Sequence, residues 1–261
     1  MIDRSVGLHL QQGLSLIETP RPSVLAELDL TARLTRLVVL DTDEAILDAM
    51  GDGQGVVAVD APLAVPNRGG RREFEQVLAW LDVPTFPTSR ARLEQLHGGI
   101  RGERLAPALE SCGWRPVEAV PDFVLRHLIW SGRPDSATEP DLARFRAGWL
   151  ECRPPRYRPK GAGRAHPAGI AETAELLARV VDLGDWRPAD SPDDWQAIAD
   201  AAVLDAVACA VSAHVAVHDP RRSVTIGTRD LGVVVNPAGP HLRQRLEVNL
   251  ERLRDEGAIS I

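Results

Sequence analysis

The chain has 261 residues, of which 44% are hydrophobic and 26% are charged, which is the composition of an ordinary soluble globular protein. This length can bury a substantial core in one large domain or in two small ones. The net charge of -7 argues against a general nucleic-acid coat protein, because such domains are usually basic.

Secretory and membrane-spanning signals were not found in the sequence. No positively charged segment precedes an apolar stretch at the amino end, and we find no run of about 18 apolar residues. Cys112, Cys152 and Cys209 are far apart and in no C-x-x-C pair, which favours free thiols, with Cys209 buried. We therefore expect a cytoplasmic protein with no membrane contact.

The first part of the chain predicts a strand, a hairpin, a helix and a further strand. Asp41-Thr42 is a signal for a helix start, and Gly51 to Gly55 ends that helix. This order is not the βαβ repeat of a dinucleotide-binding fold, and no G-x-G-x-x-G follows the first strand. The predicted strands cover 5 to 10, 24 to 30, 34 to 40 and 56 to 60, with 14 to 22 as an edge strand or an excursion.

The remainder of the chain alternates predicted helices with two further strand regions. Apolar spacing and capping residues predict four helices in the middle of the chain: one that ends at about Leu81, one capped by Ser89, one that contains Leu105 and Leu109, and one that starts at Pro121. Further helices are predicted at about 170 to 182, at 192 to 217 and in a last segment that ends at about Asp255. A strand is predicted at 114 to 120, and a hairpin at 224 to 228 and 231 to 235. We predict a single domain over 1 to 261, with insertions at about 67 to 112 and 131 to 192.

The stretch VVAVDAPLAVPN, Val56 to Asn67, is the most informative in the chain. Four β-favouring residues run into Asp60, and Ala61-Pro62 keeps the chain extended beyond it. Asp60 is therefore predicted at the carboxyl end of a buried strand, where ligands and metals collect in open α/β sheets. The alternative is a strand-end aspartate that accepts backbone N–H bonds in the following turn.

Two more carboxylates stand in apolar surroundings. Asp205 lies in the middle of an almost wholly apolar helix, so either an arginine or a bound cation must neutralise it. Glu118 interrupts an apolar strand, which has either a polar outer face or cover on both sides. Together with Asp60, these carboxylates could supply oxygen ligands for Mg²⁺ or Mn²⁺. Metal sites of this kind catalyse phosphodiester hydrolysis in other enzymes.

Two other features are candidates with simpler alternatives. His214 and His218 are four residues apart, but histidine is favoured at helix carboxyl ends and no third ligand completes a recognisable motif. Between Arg153 and Arg164, five positive charges occur without an acidic residue. This run predicts either a solvated loop or a mobile arm that contacts phosphates.

Several of these stretches, taken together, resemble one family. The runs VVAVDAPLAVPN, RREFEQVL, FPTSRARLEQL, VEAVPDFVLRHL and VLDAVACAVSAHVA are similar to the domain of unknown function 429 family, predicted to be ribonuclease-H-like nucleases. The resemblance covers most of residues 24 to 235. It implies an α/β ribonuclease-H-like fold, a mixed sheet of three antiparallel strands and then parallel strands, with helices on both faces and helical insertions. It also implies that Asp60, Glu118 and Asp205 match the acidic cluster of such folds.

One position departs from the family pattern. Related sequences begin with a strand V-G-I-D, whose aspartate is a central metal ligand, whereas this chain has Val6-Gly7-Leu8-His9. Histidine can bind manganese or zinc, but it is neutral and suits magnesium poorly. The resemblance therefore implies either a nuclease that His9 impairs or a relative that has lost catalysis.

We predict a divalent-metal-dependent nuclease or phosphodiesterase. Asp60, Glu118 and Asp205 are the predicted catalytic residues, and His9 joins Asp60 and Asp205 as a predicted ligand of Mg²⁺ or Mn²⁺. No arginine salt bridge is expected in this cluster. The predicted substrate-binding residues are Arg68, Arg71, Arg156, Arg158 and Lys160, and the expected partner is nucleic acid. One alternative is a catalytically inactive relative that binds nucleic acid or a protein. A second is an actin-like ATP-using enzyme, which is less favoured because the Gly-rich phosphate loops of such enzymes are missing.

Overall fold

The structure is a computed structural model, and it describes residues 4–11, 22–85, 88–136, 142–158 and 166–255. Within these ranges the strands are β1 (Arg4–His9), β2 (Ser23–Leu28), β3 (Leu34–Leu40), β4 (Gly55–Val59), β5 (Trp114–Glu118), β6 (Ser223–Thr228) and β7 (Gly232–Pro237). The helices are α1 (Asp43–Met50), α2 (Glu73–Ala79), α3 (Arg90–His97), α4 (Arg101–Ser111), α5 (Pro121–Ser131), α6 (Leu142–Glu151), α7 (Pro167–Leu177), α8 (Asp194–His218) and α9 (Pro240–Asp255).

These strands form one mixed sheet in the order β3-β2-β1-β4-β5-β7-β6. The strands β1, β2 and β3 are antiparallel neighbours, whereas β1, β4, β5 and β7 run parallel to one another. At the far edge, β6 pairs antiparallel with β7. The predicted α/β class, with antiparallel strands followed by parallel strands, is confirmed, and the arrangement is compatible with a ribonuclease-H-like fold.

Helices cover both faces of the sheet, and the central strand β4 buries apolar side chains on each face. Val56 and Ala58 pack in one cluster with Cys209 of α8. Val57 and Val59 pack in a different cluster, with side chains of α1 and α4. A strand buried on both faces has a continuous apolar sequence, which explains the run before Asp60. Cys209 is a buried free thiol, as predicted.

The long helix α8 is the centre of the fold. By length and composition it could cross a membrane, yet 78% of its most apolar window is buried inside the protein. It packs on β1, β2, β4 and β7 of the sheet and against α5 and α7. Asp200, Asp205 and Ser212 interrupt the apolar sequence of α8, so it contains no uninterrupted run of about 18 apolar residues, and burial within the α/β fold accounts for its composition.

The close approach of α8 to β1 depends on Gly7. A Cβ atom at Gly7 would lie 2.0 Å from the carbonyl oxygen of Ala206 and 2.2 Å from the amide nitrogen of Ala210. Glycine alone leaves room for a helix backbone at this distance. The contact fixes the height of α8 over β1, and with it the position of Asp205, the neighbour of Ala206.

The structure differs from the predicted elements in the segment 131 to 169. No helix was predicted between residues 131 and 169, but this segment contains α6. Phe145 and Trp149, four residues apart in α6, are buried beside Trp130 of α5. This spacing is a helical signal that the surrounding arginines obscured. The expected edge strand or excursion at 14 to 22 lies, apart from Pro22, outside the described residues.

Candidate metal site at the ends of strands β1 and β4

Two neighbouring parallel strands place His9 and Asp60 side by side. His9 ends β1, Asp60 directly follows β4, and the register pairs Leu8 with Val59. The amide of Asp60 donates to the carbonyl of Leu8 over 3.2 Å, which carries the strand pairing up to the site. Because side chains alternate along a strand, His9 faces the same side as Gly7, the side that α8 covers.

The side chains of His9, Asp60 and Asp205 meet at this point. Nδ1 of His9 lies 2.5 Å from Oδ2 of Asp60 and 3.7 Å from Oδ2 of Asp205. One ligand atom from each residue lies within 4.8 Å of the other two. The amide of Leu10 donates to Oδ1 of Asp60 over 2.9 Å and fixes that carboxylate. An imidazole nitrogen and two carboxylates arranged in this way could hold a metal ion.

The charges around His9 favour its protonated form. Burial lowers the pKa of His9, but the charge and hydrogen bond of Asp60 and the charge of Asp205 outweigh burial, so the pKa is raised. The proton on Nδ1 is donated to Asp60. Nε2 of His9 is buried without a hydrogen-bond partner among the described residues. His9 and Asp60 therefore form a 2.5 Å hydrogen bond, and the raised pKa of His9 favours the charged form of this pair.

An arginine neutralises Asp205. Arg158 donates from Nε to Oδ2 over 2.8 Å and from Nη2 to Oδ1 over 2.5 Å. The hydroxyl of Tyr157 donates to Oδ1 over 2.5 Å, and burial raises the pKa of Tyr157 well above its usual value, so the phenol keeps its proton. The prediction that no arginine salt bridge occurs in this cluster is wrong. The physical reason is that Asp205, only 3% exposed, needs a cation whether or not a metal binds.

The same guanidinium binds a second carboxylate. Nη1 of Arg158 donates to Oδ2 of Asp122 over 2.5 Å, and Asp122 lies in the first turn of α5, where the helix dipole favours a negative charge. The side chain of Arg158 is 32% exposed. Residues 153 to 158 form no helix or strand, as predicted for the basic arm. Arg158, predicted as part of a solvated loop or a mobile arm, is instead held by two carboxylates.

Glu118 is not among the side chains whose ligand atoms meet. It ends β5 and is 3% exposed, and its Oε1 accepts bonds from Nη1 of Arg72 over 2.7 Å and from the amide of Leu63 over 3.0 Å. Arg72 also donates to Glu75 over 2.9 Å. Burial raises the pKa of Glu118, and Arg72 and the Leu63 amide offset this only in part. Glu118 lines the same cavity as Asp60, but it belongs to a buried ion pair.

A cavity of about 360 Å³ opens beside the site. Its charged lining residues include Asp60, Glu118, Asp122 and Arg158. Apolar and hydroxyl side chains complete the walls, among them Phe74, Pro84, Thr85, Thr88 and Leu93. The cavity provides a space in which a ligand reaches Asp60 and Arg158 together.

The other predicted substrate-binding residues are more scattered. Arg68, Arg71 and Arg156 are exposed. Lys160 lies outside the described residues. Contact of these four residues with a substrate stays a prediction.

Sequence reasoning missed three residues that shape the site, namely Arg72, Asp122 and Tyr157. Tyr157 is the only tyrosine, and Asp122 follows a proline at a helix start, so both carried a visible signal. Nothing local indicated their partners. His214 and His218 have ring centroids 4.6 Å apart, but among the described residues no third side chain joins them in a metal-binding group.

Comparison with known proteins assigns no family to this chain. No family model, no characterised protein and no solved structure matches it. The family resemblance therefore stays a prediction.

Proposed function

We propose that this protein is a divalent-metal-dependent phosphodiesterase that acts on nucleic acid, a nuclease of ribonuclease-H-like fold. The observation that carries the proposal is the meeting of His9, Asp60 and Asp205, with one ligand atom each within 4.8 Å. They meet at the carboxyl ends of parallel strands, the end at which α/β sheets bind ligands. These three residues are the proposed metal ligands.

The charges of the site fit one divalent ion. Asp60, Asp122 and Asp205 supply three negative charges, and Arg158 supplies one positive charge. With His9 neutral and its Nδ1 available as a ligand, two negative charges remain, which is the charge that one divalent ion balances. The nitrogen ligand favours Mn²⁺ over Mg²⁺, because Mg²⁺ prefers oxygen ligands.

The residues around the ligands give the site its rigidity. A divalent ion supplies activation of water and stabilises the negative charge that develops on a phosphate during hydrolysis. The Leu10 amide holds Asp60, and Tyr157 and Arg158 hold Asp205, so both carboxylates are fixed before any substrate arrives. Fixed ligands cost little reorganisation during the reaction.

A nucleic-acid substrate is supported by the exposed arginines. Arg68, Arg71 and Arg156, with Lys160, are the proposed contacts to backbone phosphates, because a protein of net charge -7 needs local positive charge to hold a polyanion. The cysteines of the described ranges are free, which supports a reducing compartment such as the cytoplasm.

A second function, a catalytically inactive protein that binds nucleic acid or another protein, is supported by one specific observation. The 2.5 Å contact between His9 and Asp60 and the Arg158 pair with Asp205 give each carboxylate a cation without any metal. If a metal does not displace the His9 proton, the cluster is a structural ion-pair network.

Cleavage assays distinguish these two functions. We expect the wild type to cleave a labelled single-stranded oligonucleotide with Mn²⁺, more slowly with Mg²⁺, and not with a chelator. Asp60→Asn keeps the shape of the side chain but removes its charge, so it should abolish cleavage. His9→Asp restores a carboxylate ligand and should raise the rate with Mg²⁺. Folded wild type and folded His9→Asp that both fail to cleave would contradict the nuclease and leave the binding function.

A further inference from the structure

We infer that the guanidinium of Arg158 takes the place of a second metal ion, so that the site binds one divalent ion, and that Asp122 positions this guanidinium. The inference rests on the proposed function, since it concerns the second positive charge of the same hydrolytic site. Many phosphodiesterases use two metal ions about 4 Å apart that share a carboxylate between them. Here Asp205 is the carboxylate shared between the proposed metal position and Arg158.

The contacts of Arg158 place its positive charge between two carboxylates. Nε and Nη2 bind Asp205, and Nη1 binds Asp122 over 2.5 Å. The planar guanidinium fork suits such bidentate pairing better than a lysine ammonium. A cation held by three nitrogens on two carboxylates does not leave readily, so it is a fixed part of the site.

Arg158 and the proposed metal do not compete for the same position on Asp205. Oδ1 of Asp205 is used by Nη2 of Arg158 and by the hydroxyl of Tyr157. Oδ2 accepts the 2.8 Å bond from Nε of Arg158 and is the oxygen 3.7 Å from Nδ1 of His9. A carboxylate oxygen accepts two bonds, so Oδ2 can bind Arg158 and a metal together.

The same contacts leave Arg158 able to bind a substrate phosphate. Guanidinium has five N–H donors, and the bonds to Asp205 and Asp122 use one each on Nε, Nη1 and Nη2. One donor remains on Nη1 and one on Nη2, and the side chain lines the cavity beside Asp60. Asp122 acts through Arg158, which makes it a positioning residue.

The number of bound Mn²⁺ ions tests this inference without any measurement of activity. Electron paramagnetic resonance of unbound Mn²⁺ gives the number of ions per chain, and every variant carries His214→Gln, so that the histidine pair on α8 adds none. We expect one ion for the wild-type site and one for Arg158→Lys, which keeps the charge. Arg158→Gln should bind two ions, because the vacated space between Asp205 and Asp122 admits another. Adding Asp122→Asn to Arg158→Gln should return the number to one.

Each other outcome has a definite meaning. Two ions on the wild-type site or on Arg158→Lys would overturn the inference while leaving the proposed function intact. One ion on Arg158→Gln would also overturn the inference, whatever its affinity. If that ion were bound at least about tenfold more tightly than by the wild type, Arg158 would be a competitor of the metal. A second ion kept after Asp122→Asn would remove the role of Asp122. No ion on any variant would refute the proposed function and the inference together.

Discussion

Replacing Arg72 by methionine tests whether Glu118 has a structural or a catalytic role. Arg72 is 5% exposed, and it donates to Glu118 and Glu75, which are 3% and 1% exposed. It also donates to the carbonyl of Ala64 over 2.9 Å, and this bond holds the loop after β4 in place. Methionine fills much of the same space but leaves two buried carboxylates without a cation.

We expect Arg72→Met to lower the free energy of unfolding by about 4 kcal/mol, the usual cost of removing one partner of a buried ion pair. Burial already raises the pKa of Glu118, so proton uptake by this carboxyl is favoured in the folded variant. The folded variant then binds more protons than the unfolded chain, and the loss should shrink as the pH falls from about 7 to about 5. Arg72→Met/Glu118→Gln also removes one of the two stranded carboxylates, and it should recover about 2 kcal/mol.

Urea unfolding followed by tryptophan fluorescence measures these differences. Arg71→Met is the matched control, since Arg71 is exposed, and it should change the free energy of unfolding by less than about 0.5 kcal/mol. Glu118→Gln should be destabilised but should bind Mn²⁺ about as well as the wild type. A Glu118→Gln variant with wild-type stability and no Mn²⁺ binding would refute the reasoning, because Glu118 would then act as a ligand.

Two further predictions concern packing and pH. Gly7→Ala should lose about 3 kcal/mol of stability, because its Cβ would overlap the backbone of Ala206. Gly69→Ala, which has nothing within 4 Å of its Cβ, is the control and should be nearly neutral. Equal urea midpoints for the two variants would contradict this. Burial and the charge of Arg222 lower the pKa of His127 to about 4. As the pH falls, the unfolded chain takes up a proton on His127 before the folded protein does. The free energy of unfolding of the wild type should therefore fall by about 3 kcal/mol relative to that of His127→Leu between about pH 6.5 and about pH 4. A stability difference that does not change with pH would refute this.

The sheet could be predicted because its signals are local. Each signal lies within a few residues: the apolar run of β4, the hairpin of β2 and β3, and the glycines from Gly51 to Gly55 that lead into β4. Such patterns fix strand type and order, and the topology then places the ends of β1 and β4 together. Asp60 was found from this local pattern, whereas His9 was singled out only through the family resemblance.

The partners of the buried carboxylates could not be predicted in the same way. Arg158 pairs with Asp205 across 47 positions, and Arg72 pairs with Glu118 across 46 positions. No periodicity selects one arginine from the many in the chain. The sequence showed that Asp205 needed a cation, but only the three-dimensional packing of the 153 to 158 segment against α8 and α5 identified Arg158.

Titration calorimetry with Mn²⁺ on the wild type and on Asp60→Asn tests the central claim most directly. We expect Mn²⁺ to bind the wild type and to bind Asp60→Asn at least about tenfold more weakly, because a ligand is lost. The metal must displace the His9 proton, so the heat of binding should also change with the ionisation enthalpy of the buffer. Equal Mn²⁺ binding by the wild type and Asp60→Asn, or no binding by the wild type, would contradict a metal site at His9, Asp60 and Asp205.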